Sequence, residues 1–93
     1  MMRERLIDLV NRTTTPRTKH KEFSEMTGLE RRTVKALLDG AQRFNEDHIK
    51  AISAAFPQYK MWFVFGEIHP DIGQISPELD QTAGDYQGTG TDT

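Results

Sequence analysis

No cysteine occurs in the 93 residues, so disulfides, thiolate-held zinc and thiol nucleophiles are excluded outright. The core has to cohere by burial alone, and a reducing, cytoplasmic setting is the natural expectation. Long apolar runs are also missing. The longest, Met61 to Phe65, is five residues, far short of a membrane span or the apolar stretch of a secretory leader. Alternating strand-like runs bounded by hairpin turns do not occur, and neither do internal repeats. His20, His48 and His69 are scattered without a zinc-binding spacing, and Ser24, Ser53 and Ser76 lack a nucleophile-elbow context. Gly84, Gly88 and Gly90 belong to a polar stretch rather than to a phosphate-binding loop. These absences lead us to expect neither enzyme nor metal site, and no cofactor, small-molecule substrate or membrane partner.

What is present is charge, unevenly spread. The net charge is −2, yet residues 1–44 carry ten Lys/Arg against six Asp/Glu, a net +4, while residues 45–93 carry two against eight, a net −6. A binding face for a polyanion belongs in the first half. Hydrophobic residues are only 35% of the chain, and the shortfall lies after Gly66, where Gly, Asp, Thr and Gln dominate and Tyr86 is the one large apolar side chain of the last ten residues. Composition therefore divides the chain into a domain over residues 1–67 and a polar, acidic tail over 68–93, flexible and partly or wholly disordered.

Helical spacing governs the domain. Leu6, Ile7, Leu9 and Val10 predict a first helix near residues 2–12, with Arg3, Arg5, Asp8 and Arg12 on its other faces. A second helix reaches Met26 and starts at either of two caps, Thr15 before Pro16 or Thr18. Gly28 supplies a tight turn, and Val34, Leu37 and Leu38 form one face of a third helix over residues 30–38 that Gly40 stops. Asn45 caps a fourth helix with Ile49, Ile52, Ala55 and Phe56 as its inner stripe, and Pro57 ends it. Tyr59 to Phe65 completes a compact, all-α, five-helix arrangement; five adjacent apolar side chains cannot all face one core.

Two helices that meet steeply need a small residue at their contact and apolar residues on both inner faces. Phe23-Ser24, Gly28-Leu29, Val34, Leu37-Leu38 and Gly40 have the spacing of a helix-turn-helix. The segment from Phe23 to Gly40 resembles the lambda-repressor/Cro-like, phage-type family, and the likeness extends over residues 2–67. Gln42-Arg43-Phe44 is similar to that family's phosphate-contacting loop, and Trp62-Phe63-Val64-Phe65-Gly66-Glu67 to an ending common in phage-type repressors. Ser24 stands where the family usually has Ala, Glu30 where it has a Ser or Thr cap, and the loop before helix two is long.

The resemblance implies that the third helix is a recognition helix. Arg31, Arg32, Thr33, Lys35 and Ala36 are then the candidates for contact with base edges of double-stranded DNA, with Arg31 and Arg32 gripping guanine. Lys19, His20, Lys21, Gln42 and Arg43 fall where the family touches phosphate. A homodimer joined through Met61, Trp62, Phe63 and Phe65 is expected, acting on a pseudo-palindromic operator as a transcriptional repressor that blocks polymerase. No self-cleaving peptidase domain is expected. The rival expectation is an adaptor or antitoxin that uses the helix-turn-helix as a scaffold and grips another protein.

Overall fold

Leu6, Leu9 and Val10, spaced as one helical face, are fully buried on helix α1, Met2–Thr13. The threonines that follow end it by competing for its last carbonyls. Thr13 and Thr14 donate their hydroxyls to the carbonyls of Leu9 at 2.7 Å and Val10 at 2.6 Å. Both expected starts of the second helix are used in sequence, since Pro16–Thr18 forms a single 3-10 turn that leads directly into α2, Lys19–Thr27. A three-residue connection then gives α3, Arg31–Asp39, and a longer loop gives α4, Glu46–Ala55. Pro57–Tyr59 is a second 3-10 turn, continued by α5, Lys60–Phe65, and Pro70–Ile72 is a third. A last helical turn runs over residues 77–80.

The computed structural model describes residues 1–80, which are helical without any named strand; one isolated antiparallel bridge joins His69 and Gln74. No helix among the described residues is long and apolar enough to cross a membrane. The helical segments outnumber the five expected from apolar spacing, because the three 3-10 turns and the 77–80 turn carry too few apolar residues to register as a period.

The core draws one or more residues from every α-helix: Leu6, Leu9 and Val10, Phe23, Val34, Leu37 and Leu38, Ile52, and Phe63, with Tyr59 just before α5. Phe56 stacks between Phe23 and Tyr59, both ring-centroid distances being 5.8 Å, while Phe44 meets Phe63 edge-on. On α4 the buried stripe departs from expectation. Ile52 is buried but Ile49, Ala55 and Phe56 are only half-buried, and His48 takes an inner place instead. The imidazole is accommodated because its Nδ1 accepts the Asn45 N–H at 3.2 Å while the Asn45 side chain accepts the His48 N–H at 2.8 Å, a reciprocal cap.

Two arginines assigned by spacing to the outer faces of α1 are structural. Arg3 Nε donates to the carbonyl of Leu38 at 2.8 Å, at the end of α3, and Arg5 donates to those of Phe63 at 2.9 Å and Val64 at 3.3 Å, at the end of α5. Each places a cation where helix carbonyls lack partners and the dipole is negative. Gly40 answers to the same contact: its φ is +78°, and a Cβ there would stand 3.1 Å from Arg3 Nε.

The boundary drawn at residue 67 falls inside folded chain. Gln74 accepts the Met61 N–H and donates to the Pro57 carbonyl, both at 2.9 Å, so one polar side chain closes the start of α5. Ile75 N–H donates to the Gln58 carbonyl at 2.9 Å, Ile75 packs on the core, and Pro77 is buried. Tyr59 donates its hydroxyl to Asp80. Of the tail expected over 68–93, residues 68–80 are therefore folded onto the domain, and residues 81–93 lie outside the described residues.

Burial and the bond to Asp80 push the Tyr59 hydroxyl up to about 12. A pKa raised by folding stabilises the fold fully below the unfolded value, near 10. That contribution is lost as pH rises towards the folded value. In thermal melts the advantage of the native chain over Tyr59→Phe is expected to be constant below roughly pH 9 and to shrink between roughly pH 10 and 12; a constant difference would contradict the pairing.

Candidate nucleic-acid interface

The junction between α2 and α3 is built from short-range bonds around one glycine. Gly28 ends α2 with φ +82°, and its N–H donates to the Ser24 carbonyl at 2.8 Å. Ser24 donates its hydroxyl across the turn to the Leu29 carbonyl. Thr27 Oγ1 accepts the Leu29 N–H at 3.2 Å while its hydroxyl donates back to Phe23 at 2.8 Å. Glu30 holds the cap position of α3 without a side-chain capping bond and instead turns toward Arg32, with Nε–Oε1 3.4 Å.

Past that turn, Val34, Leu37 and Leu38 are buried, and the opposite side of α3 is left in the open. Between it and the start of α2 lies an open groove of about 460 Å³ lined by Arg17, Thr18, His20, Lys21, Arg31, Arg32 and Lys35. Five of the seven are permanent cations, and no carboxylate stands among the described residues of the lining. Gathering like charges costs energy unless an anion neutralises them. Lys35 pairs with Asp39 at 2.6 Å, which holds the Asp39 carboxyl below its usual range, and Arg32 pairs with Glu30. Both pairs are exposed, so each is weak in water and easily exchanged for a phosphate. Among the described residues, Arg17, Lys21 and Arg31 have no carboxylate within 4.0 Å.

Of the residues expected to touch DNA, the fold brings Arg31, Arg32, Lys35, His20 and Lys21 together in this groove. Thr33 and Ala36 are half-buried on α3, and Lys19, Gln42 and Arg43 lie outside the lining. Arg17 and Thr18 were missed. The signal was in the sequence, because Arg17, His20 and Lys21 stand at i, i+3 and i+4 and share a face once the chain is helical from Pro16 onward. Reading Lys19-His20-Lys21 as a contiguous block hid that face.

Glu22 does not line the groove but fixes its rim. Its carboxylate accepts the Thr15 N–H at 3.0 Å and the hydroxyls of Thr15 and Thr18. Those bonds, the Thr15 hydroxyl first, hold the Glu22 carboxyl below the usual carboxylate range.

Phe63 has to be removed from the expected dimer interface. It is 1% exposed at the centre of the core, since α5 turns that side inward against Phe44. Met61 and Trp62 are half-buried, and Phe65, 63% exposed, is the open end of the apolar run. No cluster of three or more His, Asp or Glu able to hold a metal occurs among the described residues. Comparison of the chain with family models, with curated proteins and with solved structures returns no match.

A Cβ added at Gly28 would meet nothing within 4 Å, so its substitution isolates the backbone term. Gly28→Ala is expected to lower stability by about 1–2 kcal/mol, the cost of a left-handed L-residue. Urea unfolding measures it, and an unchanged midpoint would mean that the turn does not need this conformation.

Proposed function

We propose that this protein is a helix-turn-helix regulator that binds double-stranded DNA sequence-specifically, with α2 and α3 as the two helices of the motif. The observation that carries the reading is the groove along the outer side of α3, lined by Arg17, His20, Lys21, Arg31, Arg32 and Lys35 without a described carboxylate. A duplex presents regularly spaced phosphates, and only a surface of concentrated positive charge repays their desolvation. The overall charge of −2 does not oppose this, because the groove lies in the chain's positive half.

In this reading α3 enters the major groove, where the resemblance to lambda-repressor/Cro-like proteins puts a recognition helix. Arg31 and Arg32, at its N-terminal end, donate paired hydrogen bonds to guanine O6 and N7. Thr33 and Ala36, half-buried, offer small surfaces that let the helix approach closely. Arg17, His20 and Lys21 at the start of α2 hold phosphates and set the register, with Lys19, Gln42 and Arg43 as outer phosphate contacts. Two copies joined through Phe65, with Met61 and Trp62 beside it, present two such helices to a pseudo-palindromic site with half-sites about 34 Å apart. Occupancy of such a site represses by excluding polymerase.

Selection from a random duplex library tests the reading. The native protein is expected to enrich a two-fold-related site containing guanines. Arg31→Ala and Arg32→Ala each lose preference at defined positions, at a cost of about 1–3 kcal/mol. Lys21→Ala weakens all duplexes alike and lowers the salt slope by about 1. Failure to enrich any sequence, together with capture of a protein partner, would favour the adaptor reading.

The dimer is tested apart from stability. Phe63→Ala is expected to destabilise by about 3–5 kcal/mol, as a core truncation. Phe65→Ser leaves the melting temperature of the monomer nearly unchanged and shifts sedimentation toward the monomer. A Phe65→Ser chain that sediments like the native one would remove α5 from the interface.

A further inference from the structure

The weakest-supported part of the basic groove is the turn that carries Arg17. Thr15, Pro16, Arg17 and Thr18 are all exposed, and the turn contributes no residue to the core. Nothing apolar holds it down. Arg17 itself has no ion pair among the described residues, so where its guanidinium can reach depends on the backbone that carries it.

What orders the turn is one carboxylate four residues further on. Glu22 Oε1 accepts the Thr15 N–H at 3.0 Å, while Oε2 accepts the hydroxyls of both Thr15 and Thr18. The two hydroxyls also lie 2.9 Å apart, and the Thr18 N–H donates to the Thr15 carbonyl at 3.2 Å. Thr18 occupies the cap position of α2 but makes no capping bond, and its hydroxyl donates to Glu22 instead. The turn is thereby tied to the first turn of α2, the helix that carries His20 and Lys21 to the same groove.

Taking the groove as a duplex-binding surface, we propose that Glu22 is its positioning residue: the carboxylate clamps the Thr15–Thr18 turn and so delivers Arg17 to the phosphate backbone. The proposal runs against simple electrostatics, which makes it decidable. A negative charge beside Lys21 repels a polyanion, so neutralising it should strengthen binding, by less than roughly twofold for an exposed charge screened by salt. Loosening the clamp costs more. Glutamine keeps the length and helical preference of the side chain but leaves one neutral acceptor in place of two charged oxygens, so the charge-assisted bonds to the turn are lost or replaced by weaker neutral ones. Losing one held contact weakens binding roughly fivefold, the equilibrium factor of a net hydrogen bond.

The test is a double-mutant cycle with Glu22→Gln and Arg17→Ala, binding a duplex oligonucleotide at several salt concentrations. In the native background Glu22→Gln is expected to bind roughly fivefold more weakly and to lose about one unit of salt slope, as Arg17→Ala does. In the Arg17→Ala background the same change is expected to have no effect or to tighten binding slightly. Equal or tighter binding of Glu22→Gln in the native background overturns the proposal, and so does an equal loss in both backgrounds. Amide hydrogen exchange on the free protein decides the clamp without DNA: exchange at Thr15 and Thr18 speeds up in Glu22→Gln, and unchanged rates refute the clamp while leaving the groove reading intact. A native chain that binds no duplex even at low salt removes the groove reading and the positioning role with it.

Discussion

Burial of Val34, Leu37 and Leu38 against α1 and α2 is the contact from which the rest of the molecule follows. A helix with three adjacent inner residues cannot rotate about its axis without exposing one of them, and each such side chain contributes roughly 1.5–3 kcal/mol by staying out of water. Fixing that rotation also fixes which side of α3 is left over. Arg31, Arg32 and Lys35 are on that side as a consequence of packing, and the turn at Gly28 sets α3 beside the start of α2, where further cations wait.

The basic residues divide by the partner they meet. Arg3 and Arg5 are spent on the carbonyl ends of α3 and α5, Arg12 pairs with Asp8 along α1, and the cations of the groove are left to meet solvent or weak neighbours. Arginine suits the first role because its planar fork reaches carbonyls of another helix while staying charged. Two arginines two residues apart on one helix thus anchor the ends of two others, joining α1 to α3 and to α5. The acidic residues show the same division. Glu22 is held at low pKa by the turn it orders, and it stands outside the groove lining, whereas Asp39 and Glu30 sit at the ends of α3 and temper two of its cations.

Residues 68–80 show how a small domain extends its structure with few apolar groups. Gln74, Tyr59 and Asp80 act as fasteners: an amide that closes the start of α5, and a buried hydroxyl that reaches a carboxylate 21 residues away. Composition reads such a stretch as tail because it counts what a residue can bury and has no means of counting the backbone groups that a glutamine can satisfy. The same blindness applies to His48, which looked like a stray imidazole and is the second half of the cap at Asn45.

Helical periods were legible because the pattern of burial repeats within a few residues. Leu6, Leu9 and Val10, then Val34, Leu37 and Leu38, declared their faces, while Gly28, Gly40 and Asn45 marked ends that depend on one residue's own conformation or side chain. The uneven charge and the outward cations of α3 were equally available. Three things waited for the tertiary structure: that Arg17 joins the groove, that Arg3 and Arg5 bind the carbonyl ends of other helices, and that Phe63 points inward while Phe65 does not. Arg3 and Arg5 depend on partners 35 to 59 residues away, Arg17 on the exact turn at which a helix begins, and Phe63 on the Phe44 ring from the loop before α4. A sequence states its local periods in full, but a side chain's role is set by what the folded chain brings against it.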